Sequence, residues 1–303
     1  MLKVQNINKS YADVKALKDI SFNVSKGELF GFIGPDGAGK TTLLRIITTL
    51  LLADDGSAKV NGYDVVKDYL KIRKIVGYMP GKFSLYQDLT VLENLEFFAT
   101  VFGTSIDENY DLIKDIYSQI EPFKHRRAGK LSGGMKQKLA LSCALIHKPK
   151  VLILDEPTTG VDAVSRMEFW DMLKNIQKKD ISILVSTPYM DEASLCDRVA
   201  LIQKGELMSI DTPQNIIKLF NKNLLAVRAD NMYKLLLDLR NFEHTDSVFL
   251  FGQYLHLTMK NNLSDKKLLN NYLANKKYSN IEIFDIEPNI EDCFMDLMGG
   301  VKN

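Results

Sequence analysis

Nine consecutive residues in the first part of the chain have the types and spacing of a phosphate-binding loop. They follow the apolar run Leu29–Ile33 and open onto the apolar segment Leu43–Leu51. A strand, a glycine-rich turn and a helix in this order give such a pattern its structural context, because the turn presents backbone N–H groups at the positive end of the helix. The motif predicts a nucleotide-binding site formed by Gly34, Pro35, Asp36, Gly37, Ala38, Gly39, Lys40, Thr41 and Thr42.

Two carboxylates, Asp155 and Glu156, follow the continuous apolar run Val151–Leu154. Such a run is typical of a strand buried on both faces of a sheet, and ligands of open α/β sheets bind at the carboxyl ends of these strands. We expect Lys40 to contact the β- and γ-phosphates and Thr41 to hold Mg²⁺. At the strand end, Asp155 is expected on the Mg²⁺ shell and Glu156 as the residue that polarises the attacking water.

A second glycine-containing motif, Leu131–Met135, leads directly into a helical pattern. Ser132 is a natural N-cap for that helix, and a cap explains the serine. It does not explain both Gly133 and Gly134, which allow close approach of the backbone to another group. The motif therefore indicates a second contact site.

The elements predict an α/β fold in two parts. A β-rich entry precedes the phosphate loop, Asn61-Gly62 marks a two-residue hairpin turn, and a mostly helical block at roughly 85–130 is inserted into the α/β core. The order β-α-β-β-α-β in the last third resembles a ferredoxin-like module. We therefore expect a first domain over residues 1–220 and a small α+β accessory domain over 221–303.

The charge balance, the cysteines and the apolar runs indicate in which cellular compartment the chain acts and which partners it lacks. Lys plus Arg number 39 against 38 Asp plus Glu, and a net charge of +1 gives no electrostatic argument for nucleic acid or an anionic membrane as a partner. Cys143, Cys196 and Cys293 lie far apart and lack metal-ligand spacing, so reduced, packed thiols are expected. The N-terminal residues lack the layout of a signal peptide and no apolar run reaches the length of a spanning helix, which together predict a cytoplasmic chain.

With these motifs in order, the first two-thirds of the chain resembles the ATP-binding subunit of an ABC transporter. The phosphate loop is similar to Walker A, Leu131–Met135 to the ABC signature, Val151–Glu156 to Walker B, and Thr159–Asp162 to the D-loop. The resemblance implies an ABC-type P-loop NTPase fold and assigns Tyr11, on a predicted loop, to stacking on adenine. It also places Ser132, Gly133, Gly134 and Asp162 among the ATP contacts.

The same resemblance implies the partners and location of the chain. In ABC proteins the signature of one subunit closes on the γ-phosphate held by another, so a second ATP-binding subunit completes the site. The helical block is then the surface that docks a transmembrane permease, and the chain lies peripherally on the inner face of the cell membrane. The segment Glu287–Leu297 is similar to the tail of ABC-2 exporters of the multidrug kind, which implies export of a small or hydrophobic compound.

Two positions depart from the family pattern. Gly81 stands where the family has a glutamine that touches Mg²⁺ and water, and Pro188 stands where it has a histidine that contacts the γ-phosphate. Gln87 is a poor substitute by its spacing. Losing one donor to a transition state typically costs about 10²–10³ in rate. Two hypotheses follow: an ATPase with retained but slow hydrolysis, or a nucleotide-gated, weakly hydrolysing regulatory subunit paired with a competent partner.

Overall fold

The computed structural model describes residues 1–82, 84–262 and 265–299. The chain divides into two compact units, Met1–Thr212 and Pro213–Asn303. This boundary lies before a short helix, Pro213–Lys218, that the sequence places at the end of the first domain. Residues 263, 264 and 300–303, which belong to the predicted accessory domain, lie outside the described residues.

Unit 1 contains ten strands among its described residues. They are β1 (Leu2–Tyr11), β2 (Val14–Val24), β3 (Leu29–Ile33), β4 (Asp55–Val60), β5 (Tyr63–Asp64), β6 (Val76–Met79), β7 (Val151–Asp155), β8 (Ser182–Thr187), β9 (Arg198–Gln203) and β10 (Glu206–Asp211). Its α-helices are α1 (Lys40–Ile47), α2 (Tyr69–Ile75), α3 (Val91–Phe102), α4 (Ile106–Tyr117), α5 (Gly133–Leu145) and α6 (Ala163–Gln177).

A six-stranded sheet in the order β10-β9-β3-β8-β7-β6 forms the centre of unit 1. Strands β9, β3, β8, β7 and β6 are parallel, and only β10 is antiparallel to its neighbour. Every residue of β3, β7 and β8 is buried, as expected of parallel strands covered on both faces. The carboxyl ends of β3 and β7 therefore meet at one edge of the sheet.

The predicted β-rich entry is a second, antiparallel sheet in the order β2-β1-β4-β5. Asn61 and Gly62 have φ of 49° and 83°, which is the positive-φ pair that a tight two-residue hairpin requires. Side chains of both sheets join one core, in which Phe22 stacks on Phe30 with ring centroids 5.5 Å apart. The entry sheet thus packs beside the strand that leads to the phosphate loop.

The helical block begins with two well-capped helices. Thr90 with Glu93 and Ser105 with Glu108 form capping boxes at the starts of α3 and α4. Fully buried Asn94 donates from Nδ2 to the carbonyl oxygens of Tyr86 and Thr90, so the preceding loop is tied to α3. Helix α4 ends at Tyr117, and a 3₁₀ turn covers Glu121–Phe123.

Strand β6 packs very closely against the end of helix α5. A Cβ added at Gly77 would lie 2.2 Å from the carbonyl oxygen of Ala144, so only glycine fits. At the end of α5, the ring of His147 stacks on Phe102 with centroids 3.8 Å apart, and its Nε2 lies 3.2 Å from the carbonyl oxygen of Val76. Burial lowers the pKa of His147 to about 4, so the ring is neutral at physiological pH.

The described elements of unit 2 are α7 (Pro213–Lys218), β11 (Leu224–Arg228), α8 (Met232–Arg240), β12 (Thr245–Phe251), β13 (Tyr254–Met259), α9 (Lys266–Asn275), β14 (Glu282–Asp285) and α10 (Ile290–Leu297). The four strands form an antiparallel sheet in the order β12-β13-β11-β14, and helices α8 and α9 follow β11 and β13 along the chain. Leu235 and Leu239 from α8 and Leu269 and Leu273 from α9 are buried in a core on this sheet.

One local prediction is wrong. Tyr11 is the last residue of β1 and does not lie on a loop, because the strand continues to pair as far as Val14 on β2. The segment after Thr187 forms a 3₁₀ helix over Met190–Leu195. The three cysteines are free and buried, as expected. Within the described residues, no helix combines the length and the apolar character that crossing a membrane requires.

Protonation of His147 is expected to destabilise unit 1. In the pH range between about 4 and 6.5 the unfolded chain binds a proton at His147 that the folded chain does not, so this contribution to stability is complete above pH 6.5 and is lost as the pH falls. From pH 7 to pH 5 the free energy of unfolding should fall by about 2 kcal/mol more in the wild type than in His147→Phe, which keeps the ring stack. Urea unfolding at each pH measures the free energy of unfolding. An equal decrease from pH 7 to pH 5 in the two proteins would contradict the prediction.

Candidate functional site

Close backbone packing shapes the predicted phosphate loop. A Cβ at Gly34 would lie 2.2 Å from the carbonyl oxygen of Ile202, and one at Gly39 would lie 2.4 Å from that of Ala16. Gly39 also has φ of 105°, a conformation that L-residues with side chains rarely adopt. Gly34 is therefore required by close packing of the loop on Ile202, and Gly39 both by packing on Ala16 and by its backbone conformation.

The loop leads into helix α1 without a side-chain cap, because Gly39 occupies the N-cap position. The first N–H groups of a helix have no partners within the helix, and together with the helix dipole they favour an anion. The loop is anchored from outside, since Gly205 N–H donates to the carbonyl oxygen of Ala38 at 3.1 Å. Asp36 and Gly37 are exposed, Ala38 is buried, and Pro35 and Thr42 are half-buried.

Lys40 is buried, with 3% of its surface exposed. Its Nζ donates to the carbonyl oxygens of Gly34 at 2.7 Å and Pro35 at 3.0 Å, and it lies 3.1 Å from Oε1 of Glu156. A buried ammonium group is costly unless it is hydrogen-bonded and paired. The structure therefore brings the predicted phosphate-binding lysine and the predicted catalytic carboxylate into direct contact.

Asp155 is the last residue of β7 and is held by two hydroxyl groups. Thr41 Oγ1 donates to its Oδ1 at 3.1 Å, and Ser186 Oγ donates to the same oxygen at 2.7 Å. Burial, together with the charge of Asp155, raises the pKa of nearby Tyr78 to about 12. Ser186 is a residue that the sequence interpretation missed, because it lies 31 positions from Asp155 and meets it only through strand pairing.

Glu156 adopts a strained backbone conformation with φ of 50°. Its N–H group donates to the carbonyl oxygen of Ser186 at 3.0 Å and to Ser186 Oγ at 3.1 Å. Positive φ in a residue with a long side chain costs free energy and is common at functional sites. The turn directs the side chain toward Lys40 while Asp155 stays on the strand.

The donors around Thr41 fit Mg²⁺. The hydroxyl of Thr41 and the carboxylate of Asp155 are adjacent oxygen groups, and Mg²⁺ is usually bound through one or two such protein groups together with phosphates and water. Among the described residues, no cluster of three or more His, Cys, Asp or Glu side chains could hold a metal ion. Any Mg²⁺ here would depend on phosphate oxygens for the rest of its ligands.

The second glycine motif packs against the segment that follows Glu156. Ser132 caps helix α5 by accepting a hydrogen bond from Met135 N–H at 3.3 Å. A Cβ at Gly134 would lie 2.9 Å from Oγ of Ser165 on α6, and one at Gly133 would lie 3.7 Å from the carbonyl oxygen of Gly160. One glycine is thus required by packing within the chain, and Gly133 is exposed.

Two residues assigned to ATP by resemblance have local roles. Asp162 is the N-cap of α6 and accepts from Ser165 N–H at 3.0 Å, and the hydrogen bonds from Ser165 lower the pKa of Asp162. Tyr11 is 46% exposed, with Lys9 Nζ 5.8 Å from its ring centroid. Among the residues that the structure describes, neither side chain makes a hydrogen bond, ion pair or ring contact with the phosphate loop.

The two departures from the family pattern lie beside the predicted site. A Cβ at Gly81 would lie 3.0 Å from the carbonyl oxygen of Asp155 and 3.8 Å from its Oδ2. Pro188 follows the fully buried Thr187 at the end of β8. Gln87 accepts a backbone hydrogen bond from Gly129 at 2.9 Å and a Cβ at Gly129 would lie 3.6 Å from its Oε1, so Gln87 packs on the segment before α5.

A buried carboxylate behind the Walker B-like segment is a second feature that the sequence interpretation missed. Glu192 is 2% exposed, and its Oε1 accepts from the buried hydroxyl of Thr158 at 2.8 Å. Arg166 Nε lies 3.7 Å from the same oxygen, and Arg166 also donates to Asp191 at 2.7 Å. Thr158 is two positions after Glu156, so this contact links the predicted catalytic turn to the 3₁₀ helix beyond β8.

A cavity of about 410 Å³ opens beside the site, between β6 and the helical block. Glu156 and Gly81 lie at its wall together with apolar residues such as Phe98 and Phe102, and His147 also contributes. The cavity therefore connects the predicted catalytic carboxylate with the surface of the helical block.

Comparison with known proteins relates this chain to the ATP-binding proteins of ABC transporters. The sequence profile of the "ABC transporter" family matches residues 17–159. The chain is 37% identical over 293 residues to the probable multidrug ABC transporter ATP-binding protein YbhF of Escherichia coli strain K12, which covers 95% of this chain and 50% of YbhF. The chain thus spans about half the length of this relative.

Other relatives match over nearly their whole length. The linearmycin resistance ATP-binding protein LnrL of Bacillus subtilis strain 168 is 31% identical over 311 residues, covering 99% of this chain and 98% of LnrL. The solved dimer of the ATP-binding cassette MJ0796 in a post-hydrolysis state bound to ADP and Pi has a TM-score of 0.64 and 26% identity, covering 70% of this chain and 98% of that chain. Both support the ABC-type fold.

Removing the hydroxyl of Thr158 is expected to destabilise the fold. Thr158→Val removes the hydroxyl that donates to the buried Glu192 carboxylate and leaves the more distant Arg166 Nε, at 3.7 Å, as its partner. Loss of a hydrogen bond to a buried polar group costs about 1–3 kcal/mol. Thr158→Ser keeps the donor and should lose less than about 1 kcal/mol. The exposed neighbour gives a matched control, since Thr159→Val should change stability by less than about 0.5 kcal/mol. Equal losses for the two valine variants in urea unfolding would contradict this role of Thr158.

Proposed function

Because the chain belongs to the family of ABC transporter ATP-binding proteins, we propose that it binds and hydrolyses ATP and thereby drives a separate membrane permease. The observation that carries the proposal is the meeting of Lys40, Thr41, Asp155 and Glu156 at the carboxyl ends of β3 and β7. Two pairs of neighbouring residues from distant parts of the sequence thus meet at one point, and their chemistries suit phosphoryl transfer to water.

We assign binding of the phosphates to the loop of residues 34–42. Its backbone N–H groups and the start of α1 contact the phosphate oxygens, and Lys40 contacts the β- and γ-phosphates. In the structure Lys40 also pairs with Glu156 at 3.1 Å. A triphosphate carries more negative charge than one carboxylate, so its binding draws Lys40 away and leaves Glu156 free to act on water.

Glu156 is the proposed general base. Water attacks the γ-phosphorus, the bond from that phosphorus to the bridging oxygen of ADP breaks, and Glu156 accepts the proton that the water loses. Asp155 and Thr41 are the proposed protein ligands of Mg²⁺, which when bound neutralises charge on the phosphate oxygens. Ser186 holds Asp155 in place through its 2.7 Å hydrogen bond.

A second ATP-binding subunit would complete the site. We propose that Ser132, Gly133 and Gly134 of one subunit contact the γ-phosphate bound by another, with Asp162 at the same boundary and Tyr11 stacked on adenine. The dimeric arrangement of MJ0796 supports this pairing. Whether the second subunit is a copy of this chain or a relative, ATP binding would close the pair and hydrolysis would open it.

Export is the proposed direction of transport. The relatives are named a multidrug ABC transporter protein and a linearmycin resistance protein, which supports a small or hydrophobic compound as cargo. The chain would then act at the inner face of the membrane, bound to its permease through the helical block, with no nucleic acid partner. Residues 1–220 remain the proposed ATP-binding domain. The strand order of unit 2 supports a ferredoxin-like accessory domain over 221–303.

We further propose that the chain hydrolyses ATP slowly. Gly81 faces the Asp155 backbone and Pro188 follows Thr187, and neither has a side-chain donor for water or the γ-phosphate. The same two positions favour the second candidate function, a nucleotide-gated regulatory subunit that hydrolyses ATP weakly and pairs with a competent partner. The rate of ATP hydrolysis distinguishes the slow ATPase from the regulatory subunit.

The test is steady-state hydrolysis of Mg-ATP by the purified chain. Glu156→Gln removes the base and should lower the rate by about 10²–10⁴ while ATP still binds. Lys40→Ala removes a phosphate contact and should weaken binding of a fluorescent ATP analogue. Gln87→Ala is the control and should change neither quantity, because Gln87 packs on Gly129.

The outcomes separate the candidates. Turnover abolished by Glu156→Gln supports the ATPase. Tight ATP binding without turnover, alone and with the permease, supports the regulatory subunit. A chain that does not bind ATP at all contradicts both functions.

A further inference from the structure

A strongly basic segment lies between α4 and α5, outside the ATP site. Four of the seven residues from 124 to 130 are Lys or Arg and a fifth is His125, in a chain whose Lys and Arg exceed its Asp and Glu by one, 39 against 38. The concentration is therefore local and is not a consequence of overall composition. Its members are Lys124, His125, Arg126, Arg127 and Lys130.

Four of these side chains converge in space. His125, Arg126, Arg127 and Lys130 are exposed and line one shallow depression of about 450 Å³. We call this depression the basic depression. Its remaining lining residues are Pro122 and Phe123, which give it an apolar rim, and the Arg126 guanidinium lies 4.6 Å from the ring centroid of Phe123.

The cations of the basic depression have little opposing charge. The cations are Arg126, Arg127 and Lys130, and within residues 1–82, 84–262 and 265–299 none of them forms an ion pair. Glu93 feels the charge of Arg127 but accepts hydrogen bonds from Thr90, and Glu121 accepts from the hydroxyl of Tyr110 at 2.8 Å. Like charges held close together repel, so an anion bound among them would lower the electrostatic free energy.

Backbone hydrogen bonds fix the segment from which these side chains project. Val91 N–H donates to the carbonyl oxygen of Arg126 at 3.0 Å, and Ala128 N–H donates to that of Leu89 at 2.8 Å. Thr90 and Arg127 form an isolated antiparallel bridge between these two bonds. A rigid site loses less conformational entropy on binding than a flexible tail with the same charges.

We propose that the basic depression binds a phosphate group. Two guanidinium groups offer paired donors that match phosphate oxygens, and Lys130 adds a compact positive charge. The depression is open and has an apolar rim, which suits a phosphate presented at a surface, as in the headgroup of an acidic phospholipid. A free phosphate compound has the same chemistry. The proposal does not depend on ATP hydrolysis, because it uses no residue of the ATP site. The depression lies at the end of the helical block that we propose docks the permease, so it is tested on the purified chain without the permease.

Lipid binding is measured by co-sedimentation of the purified full chain with vesicles of phosphatidylcholine alone or with about one-third phosphatidylglycerol. The wild type should bind the acidic vesicles, and binding should weaken as salt screens the charges. Reversing two cations, Arg126→Glu with Arg127→Glu, should lower the partition coefficient at least about tenfold. The matched control, Lys3→Glu with Lys74→Glu, makes the same change in net charge at exposed positions elsewhere and should bind like the wild type.

Binding of a free phosphate compound is tested by titrating inorganic phosphate into the Lys40→Ala variant. In this variant the phosphate loop should contribute little to phosphate binding. Phosphate binding that is lost in the Arg126/Arg127 double reversal, without vesicle binding, supports the depression as a site for a soluble phosphate compound. Binding in neither assay overturns the proposal. So does binding that the double reversal leaves unchanged, or that the control reversal weakens equally. An unchanged melting temperature shows that each variant is folded.

Discussion

The candidate ATP site depends on one buried hydroxyl group, that of Ser186. It donates to Asp155 at 2.7 Å and accepts from the N–H group of Glu156 at 3.1 Å, so it orients two consecutive acidic residues that point in different directions. Its own position is set by the parallel pairing of β7 with β8, in which Asp155 is the partner of Ser186. Both strands are completely buried, and a shift of their register would move Asp155 away from Ser186.

An ion pair and hydrogen bonds allow charged side chains to be buried in the candidate site. Lys40 and Asp155 are both almost fully buried, yet Lys40 pairs with Glu156, and Asp155 is satisfied by the hydroxyls of Thr41 and Ser186. Burying a charge is tolerated when hydrogen bonds replace its water. A phosphate ligand can therefore replace Glu156 as the partner of Lys40, while Asp155 keeps its contacts with the uncharged hydroxyl groups.

The segment after Glu156 connects the site to the rest of unit 1. Thr158 is fixed by buried Glu192, and Ser165 at the start of α6 fits against Gly134 of the signature-like motif. Through these contacts the 3₁₀ helix beyond β8 and the start of α5 both pack on the same short stretch of chain. A movement of the segment after Glu156 would therefore shift both the Walker B-like carboxylates and the surface proposed to contact a second subunit.

The sequence alone determined the parts of this protein that depend on local backbone geometry. The phosphate loop, the buried strand before Asp155 and the Asn61-Gly62 turn could be predicted because their residue types restrict the conformations of neighbouring residues. The tertiary structure alone decided that Ser186 binds Asp155, that Glu192 is buried against Thr158, and that Tyr11 ends a strand. The physical reason is that such contacts depend on strand register and helix packing between distant segments, which local preferences do not specify.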